Sequence, residues 1–263
     1  MNQRARIVIL NTDLDDGENL PENLANFMHG IIFDEPEFSK KISLVTYKVH
    51  QGHFPDETEE FDGVLITGGV TTIHQGEPIL DWVQRLMDYL RLLDQRGTPV
   101  LGVCFGLDVI TRTFGGEIHQ MGKLEDGNPL YELGYPEINL TEQGRQCPLF
   151  EGMPATFRAD QSHMLIATKL PEKAELLAQN DVCYQAFRLR NMLAIQFHPE
   201  VYLLPAIRSI DRRIQALEPG PYRDQYIQAR ERIEQEYAQT NGNQIVGIYR
   251  NFINNYVLRR ERK

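Results

Sequence analysis

Near the middle of the chain the sequence reads Gly102-Val103-Cys104-Phe105-Gly106. This stretch closes an apolar run that begins at Pro99 and precedes a segment with helical spacing, so we expect a strand, a sharp turn and a helix. The two glycines are the small neighbours that such a turn requires, and N–H groups at the start of a helix favour a thiolate over a thiol. The stretch therefore predicts a nucleophilic Cys104 at a strand-to-helix turn.

A second motif lies further along the chain, where Ile195-Gln196-Phe197-His198-Pro199-Glu200 ends another strand-like run. Residues two apart in an extended segment project to the same side, so Glu200 can reach past Pro199 to orient the ring of His198. A free thiol is mostly protonated at neutral pH and needs a base. We expect His198 to be that base for Cys104; the alternative is an ordinary structural histidine.

Composition and charge exclude several classes of protein. The 263 residues are 41% hydrophobic, enough for the core of a single α/β domain over residues 1–263. A formal net charge of -10 argues against non-specific binding to nucleic acid or to a membrane surface. The sequence shows no long apolar leader and no stretch of membrane-spanning length, which predicts a soluble, cytoplasmic protein.

Three cysteines, Cys104, Cys147 and Cys183, lie far apart without the spacing of metal ligands. Their odd number does not suggest a disulfide framework. A reducing compartment suits a working thiolate, in agreement with the cytoplasmic prediction.

Strand-like and helical segments alternate along the chain. Three short runs have the composition of buried parallel strands: Ile7–Leu10, Ile42–Tyr47 and Val64–Thr67. Apolar residues recur at helical spacing from Ile79 to Leu93. The alternation predicts a doubly wound sheet with its site at the carboxyl ends of the strands. Short strand-like pieces follow Gly116, and we interpret them as a mixed sheet edge that brings His198 back towards Cys104.

The segment 203–239 is charged and carries two apolar stripes at helical spacing, separated by Glu218-Pro219-Gly220-Pro221. We interpret it as a helical-hairpin insertion within the domain. Packing against the parent domain is its default role, and a lid or a docking arm for a partner is the alternative. Helical spacing resumes from Ile245 to Leu258, where we expect a helix that covers the sheet.

An acyl-transfer site also needs N–H donors for the oxyanion that develops on the substrate, each worth roughly 3 kcal/mol of barrier. The third strand ends in Thr67-Gly68-Gly69, and glycines let backbone N–H groups approach a ligand closely. Two glycines after a strand are more often a simple turn. Beside the cysteine turn, however, we expect the N–H groups of Gly69 and Phe105 to form an oxyanion hole.

Together these motifs resemble the class I (triad-type) glutamine amidotransferases, in particular the glutaminase half of GMP synthase. The resemblance runs from about Arg6 to Val201 and resumes near Tyr249. Its carriers are Ile66-Thr67-Gly68-Gly69, Gly102-Val103-Cys104-Phe105-Gly106, Phe114-Gly115-Gly116, Glu132-Leu133-Gly134-Tyr135, Gln196-Phe197-His198-Pro199-Glu200-Val201 and Tyr249-Arg250-Asn251-Phe252.

The resemblance implies both a fold and a reaction. The fold is a flavodoxin-like three-layer α/β domain with a mixed, mostly parallel central sheet. In the reaction Cys104 attacks a side-chain carboxamide, forms a γ-glutamyl thioester and releases ammonia, with His198 moving the protons. Because the thiolate, the base and backbone donors suffice for amide cleavage, we expect no metal and no organic cofactor.

Some positions depart from the family pattern. Family members usually carry Gly-His-Gln or Gly-Met-Gln after the turn, and that glutamine helps to bind the amino-acid end of the substrate; this chain reads Gly106-Leu107-Asp108. A carboxylate at Asp108 would attract an α-ammonium group and repel an α-carboxylate. The alternative is a surface acid stabilised on the first turn of the helix.

Further substrate contacts follow from the resemblance. The family binds substrate near the segment that matches Leu133, Gly134 and Tyr135, through backbone groups. His163 is expected either to line the pocket or to have a structural role.

These observations leave three functions open. The first is a subunit that hydrolyses glutamine and passes ammonia to a separate synthase, which would dock near the insertion at 203–239. The second is a free-standing hydrolase of a γ-glutamyl amide or peptide, which the acid at Asp108 and the lack of a fused synthase domain favour. The third is a regulatory relative without activity, which the retention of Cys104, His198 and Glu200 makes the weakest.

Overall fold

The structure is a computed structural model that describes residues 4–13, 28, 30, 32, 36–240 and 245–259. Its strands are β1 (Ala5–Asn11), β2 (Ile42–Lys48), β3 (Gly63–Ile66), β4 (Val100–Val103), β5 (Glu117–Gln120), β6 (Glu132–Gly134), β7 (Glu137–Leu140), β8 (Thr156–Arg158), β9 (Gln161–His163), β10 (Leu165–Lys169), β11 (Glu175–Gln179), β12 (Tyr184–Leu189) and β13 (Met192–Ile195). The helices are numbered α1 (Pro36–Lys41), α2 (Asp81–Gln95), α3 (Phe105–Thr113), α4 (Glu142–Gln146), α5 (Leu203–Ala216), α6 (Pro221–Ala238) and α7 (Gly247–Phe252).

Nine strands form one sheet in the order β2-β1-β3-β4-β13-β12-β11-β7-β8. Neighbours from β2 to β13 are parallel, and those from β13 to β8 are antiparallel. Two further antiparallel pairs, β5 with β10 and β6 with β9, lie outside this sheet. The structure thus confirms the predicted α/β fold with a mixed sheet, and its parallel strands surround the cysteine turn.

The strand that leads to His198 lies deeper in the fold than its sequence indicates. The sequence suggests a mixed sheet edge, but β13 is an interior strand that runs parallel to β4, with Ile195 opposite Val103. The antiparallel part of the sheet begins beyond it, at β12. Because parallel neighbours end at the same edge of a sheet, the residues that follow β4 and β13 emerge side by side.

Buried clusters cover both faces of the sheet and make it the middle of three layers. Successive residues of a strand point to opposite faces. Accordingly Ile7 and Ile9 of β1 belong to one apolar cluster, together with Phe252 of α7. Val8 and Leu10 belong to another, with residues of α2 and α3. Completely buried positions on both faces explain why β1 reads as a continuous apolar run.

Two helices differ in detail from the sequence prediction. Helix α2 begins at Asp81 rather than Ile79 because Leu80 is extended, with φ -66 and ψ 148. Helix α7 continues as a π-helical segment over Ile253–Leu258, and both parts pack on the sheet as expected. Within the described residues, no helix is long and apolar enough to cross a lipid bilayer.

Helices α5 and α6 form the predicted helical hairpin. They pack against each other and against β6 in a third apolar cluster that is separate from the two sheet faces; its buried members are Leu133, Tyr135, Ala206, Ile210, Tyr226, Ala229 and Ile233. Three tyrosines, Tyr131, Tyr222 and Tyr226, contact one another within this region at ring separations of 5.8 to 6.3 Å. The hairpin is therefore an integral part of the described fold.

The close packing of β4 against α3 requires a glycine at position 102. A Cβ atom there would lie 2.7 Å from backbone atoms of Gly106 and from Cδ1 of Ile110. We expect Gly102→Ala to lower the free energy of unfolding by about 1 to 3 kcal/mol through overpacking, measured by urea denaturation. Gly122→Ala is the control, because its Cβ would meet only Leu130 at 3.8 Å, and an equal loss in both variants would contradict the prediction.

Candidate active site

Cys104 occupies a strained turn between β4 and α3. Its backbone has φ 51 and ψ -105, and a positive φ is costly for a residue with a side chain. Three backbone hydrogen bonds hold the turn. The Cys104 N–H donates to the carbonyl oxygen of Ile195 at 2.8 Å, and the Cys104 carbonyl oxygen accepts from the N–H groups of Leu107 at 2.8 Å and Asp108 at 3.2 Å. The local geometry matches the strand, turn and helix that the sequence predicts, and the residue is 7% exposed.

His198 is fixed by a chain of buried hydrogen bonds. Its Nδ1 lies 2.8 Å from Oε1 of Glu200, and the other carboxylate oxygen, Oε2, accepts from the hydroxyl of Tyr249 at 2.7 Å. The backbone N–H of His198 donates to the carbonyl oxygen of Asp160 at 3.0 Å. Since Glu200 occupies Nδ1, the Nε2 atom is the part of the ring available to another group.

The ring of His198 interacts electrostatically with Cys104. Burial alone would lower the pKa of His198 because it disfavours the charged ring, but the Glu200 carboxylate and the neighbouring Cys104 outweigh burial. Together they hold the pKa of His198 well above its ordinary range. The surroundings thus favour the charged form of the ring, the form that can give a proton to a leaving group.

The two expected oxyanion donors keep their N–H groups uncommitted. Within the described part of the chain, neither Gly69 N–H nor Phe105 N–H donates to a protein acceptor. Phe105 is the first residue of α3, where an N–H has no partner within the helix. At Gly69 a Cβ would lie 2.7 Å from the carbonyl oxygen of Thr12, so this close backbone packing requires glycine.

A cavity of about 310 Å³ opens at the cysteine turn. Six of the residues selected from the sequence line it: Gly69, Cys104, Asp108, Leu133, His163 and His198. Helix α5 supplies another part of the wall through Pro205, Ala206, Ser209 and Ile210. The structure thus brings the expected nucleophile and base to one cavity, and the hairpin helps to enclose it.

Asp108 is buried, so its interpretation as a surface acid is wrong. Asp108 is 3% exposed, and its Oδ1 atom has no hydrogen-bond partner. The cause of the burial is that α3 is covered on all sides: every residue from Phe105 to Thr111 is buried, and Asp108 lines the cavity rather than the outer surface. Burial raises the pKa of Asp108 to about 8, so at neutral pH the carboxyl group of the substrate-free protein is mostly protonated.

The backbone of Leu133, Gly134 and Tyr135 is expected to bind substrate, but most of it lies outside the cavity. Gly134 and Tyr135 do not belong to the cavity wall. The carbonyl oxygen of Leu133 accepts from Arg232 at 2.9 Å, and the N–H of Tyr135 donates to Glu236 at 2.8 Å. These two backbone groups therefore hold the hairpin helix α6, and of the three residues only Leu133 reaches the cavity.

His163 both lines the cavity and has a structural role. Its Nδ1 lies 2.9 Å from the carbonyl oxygen of Leu165, and its Nε2 lies 2.8 Å from Oε2 of Glu132. Asn180 donates to the second oxygen of Glu132 at 2.6 Å. Ligand-type atoms of Glu132, His163 and Cys183 lie within 4.8 Å of one another, so these are the described residues best placed to hold a metal ion.

Sequence reasoning missed two residues of this site. Tyr249 lies in one of the motifs that carry the family resemblance, but nothing local indicates that its hydroxyl reaches Glu200 from the other end of the chain. Asp160 forms an isolated β-bridge with His198 and lines the cavity. Burial raises the pKa of Asp160 to about 7, with His198 opposing and Glu200 adding to that effect.

Comparison with known proteins identifies the family of the chain. The family described as glutamine amidotransferase class-I matches residues 28–213. The chain belongs to this family. Among curated relatives, the chain is 32% identical to gamma-glutamyl peptidase 3 of Arabidopsis thaliana over 59% of its own length and 61% of the relative. It is 34% identical to a glutamine-hydrolyzing GMP synthase subunit of Archaeoglobus fulgidus over 56% of its length and 70% of the relative.

Solved structures of low sequence identity share the fold. A glutamine amidotransferase from Thermotoga maritima superposes with a TM-score of 0.69 at 19% identity, over 97% of this chain and 99% of that one. A glutamine amido transferase from Methylobacillus flagellatus gives 0.69 at 17% identity, over 99% and 98%. The chain thus spans about three fifths of the Arabidopsis peptidase in sequence but nearly the whole of these folds.

The electrostatic contact between Cys104 and His198 can be measured directly. Because Cys104 helps to raise the pKa of His198, we expect Cys104→Ala to lower that pKa. Ring resonances followed by NMR during a pH titration report the value. Cys147→Ala is the matched control, since Cys147 is a buried cysteine that contacts Tyr256 instead. An unchanged His198 titration in Cys104→Ala would show that the two side chains do not interact.

Proposed function

We propose that the protein hydrolyses a glutamine-type side-chain amide, in glutamine itself or in a γ-glutamyl compound, through a thioester on Cys104. The observation that carries this proposal is the arrangement at one cavity of Cys104 on a strained turn and His198 paired with Glu200 at 2.8 Å. Membership of the class I glutamine amidotransferase family supports it, because members of that family are typically cysteine-dependent hydrolases.

In the first half of the reaction, the sulfur of Cys104 attacks the amide carbonyl carbon. The C–O π electrons move to oxygen, and the N–H groups of Gly69 and Phe105 stabilise the resulting oxyanion. His198 gives its proton to the amide nitrogen, the electrons on the oxyanion re-form the C=O bond, and the C–N bond breaks so that ammonia or an amine leaves. The product that remains on the enzyme is a γ-glutamyl thioester.

In the second half, water replaces the departed amine. His198, now neutral, removes a proton from this water, and the hydroxide attacks the thioester carbonyl. The C–S bond breaks, glutamate leaves, and the Cys104 thiolate is restored beside protonated His198. Glu200 stabilises the positive charge on the ring in both halves, and Tyr249 holds Glu200 in place.

The proposed function has two versions. In one, the protein is a glutaminase subunit that passes ammonia to a separate synthase, which docks near the insertion at 203–239; the similarity to the GMP synthase subunit of Archaeoglobus fulgidus supports it. In the other, it is a free-standing hydrolase of γ-glutamyl amides or peptides. Helix α5 favours the second version, because this part of the insertion packs on the cavity and supplies its wall.

Loss of the nucleophile should abolish turnover. We expect Cys104→Ala to reduce kcat by at least about 10³-fold in an assay of ammonia or amine release, because no thioester can form. Cys147→Ala should retain activity, since Cys147 lies in the apolar cluster on one face of the sheet and does not line the cavity. Intact-mass analysis of the stopped reaction should show the γ-glutamyl adduct in the Cys147→Ala enzyme only. Turnover by Cys104→Ala would contradict the mechanism.

Product analysis distinguishes the two versions. A free-standing hydrolase should cleave γ-glutamyl dipeptides as the purified chain and should prefer them to glutamine in kcat/KM. A glutaminase subunit should instead release ammonia from glutamine slowly when alone and leave γ-glutamyl dipeptides intact. Chromatographic quantification of glutamate, ammonia and the released amino acid checks both outcomes.

A further inference from the structure

The fold buries the carboxyl group of Asp108 without completing its hydrogen bonds. The residue is 3% exposed, it lines the cavity, and its Oδ1 atom has no partner. Leaving a buried polar atom unpaired costs free energy that most positions in a protein avoid. An oxygen in this state at the wall of a binding cavity is therefore a place where a ligand group completes the site.

The surroundings of Asp108 contain several titratable groups but no ion-pair partner for it among the described residues. The other acids, histidines and thiols of the same cavity or next to it are Asp13, Cys104, Glu132, Asp160, His163, Cys183 and His198. The cavity also includes Arg212 and Arg213 of α5. The ring of His198 is paired with Glu200.

The position of Asp108 fits a particular part of a γ-glutamyl substrate. Asp108 lies in the first turn of α3, directly after the strand-to-helix turn that holds Cys104, and both residues line the same cavity. In a γ-glutamyl group the attacked carbonyl carbon and the α-nitrogen are separated by four bonds. A substrate carbonyl at Cys104 therefore places its α-ammonium group within the range of Asp108.

We propose that Asp108 selects substrates with a free α-ammonium group by forming an ion pair with it. The proposal rests on the γ-glutamyl thioester chemistry described above. On binding, the proton that Asp108 carries in the substrate-free protein is released to solvent, and the buried carboxylate gains the cation that the protein does not supply. A neutral γ-acyl amide that lacks the amino group leaves Asp108 buried and unpaired, and a site with an unmatched polar group rejects such an analogue.

The test compares two substrates that differ only in this group. Glutaramate is glutamine without its α-amino group, so the ratio of kcat/KM for L-glutamine to that for glutaramate isolates the contribution of the ammonium. Steps that involve Cys104 and His198 affect both substrates and cancel in the ratio. We expect wild-type protein to prefer L-glutamine, and Asp108→Asn to reduce that preference roughly 10- to 100-fold, as expected for a hydrogen bond to a charged group.

A matched control uses the other buried acid of the cavity. Asp160→Asn removes a carboxyl group that contacts His198 electrostatically, so its rates are expected to fall while the substrate ratio stays at the wild-type value. The pH dependence gives a second readout. Because Asp108 must lose its proton to bind the ammonium, the wild-type ratio should fall as the pH decreases below about 8, and the ratio of Asp108→Asn should be flat.

Three results separate this inference from the proposed function. Equal cleavage of L-glutamine and glutaramate by the wild-type protein would overturn the role of Asp108 and leave the hydrolase intact. Collapse of the ratio in Asp160→Asn but not in Asp108→Asn would overturn it as well, by assigning the ammonium to the other acid. If the wild-type protein cleaves neither substrate, the same ratio is measured with γ-glutamyl and glutaryl p-nitroanilide, and failure to cleave these too would overturn the proposed function itself.

Discussion

The hydrogen bond from Cys104 N–H to the carbonyl oxygen of Ile195 joins the ends of β4 and β13. It holds a cysteine at a positive φ, a conformation that costs on the order of 1 to 3 kcal/mol and persists only where the surroundings enforce it. The two strands that enforce it are completely or almost completely buried and pair in parallel. The same pairing brings His198, three residues after β13, to the cysteine turn, so one piece of sheet geometry places both groups.

Charge at the site is controlled by burial and by the order of its hydrogen bonds. Tyr249 donates to Glu200, Glu200 is paired with His198, and Glu200 and Cys104 together raise the pKa of His198. In a buried environment these interactions are stronger than in water, so each group orients the next. Asp108 lines the same cavity, its Oδ1 atom lacks a partner, and burial raises its pKa to about 8. The cavity thus combines a hydrogen-bonded pair, His198 with Glu200, and a buried carboxyl group whose Oδ1 atom is unpaired, that of Asp108.

How much the sequence predicts depends on how local the determining interaction is. The turn at Cys104 and the spacing from His198 to Glu200 are encoded within a few residues, and the structure has both arrangements. The contact of Tyr249 with Glu200 joins distant segments, so no local pattern indicates it. Helical spacing predicts on which side of α3 Asp108 lies, but it does not predict what covers that side. The sequence alone therefore allows a surface position for Asp108, although the residue is buried.

The attachment of the hairpin bears on how substrate exchanges with solvent. Helix α6 is tied to the β6 region at two backbone positions, through Arg232 to the carbonyl oxygen of Leu133 and through Glu236 to the N–H of Tyr135. A swinging motion of the hairpin would break both bonds and expose the apolar cluster beneath it. Moving the hairpin away from the cavity therefore costs two hydrogen bonds and the exposure of apolar surface, which keeps its helices in place beside the cavity.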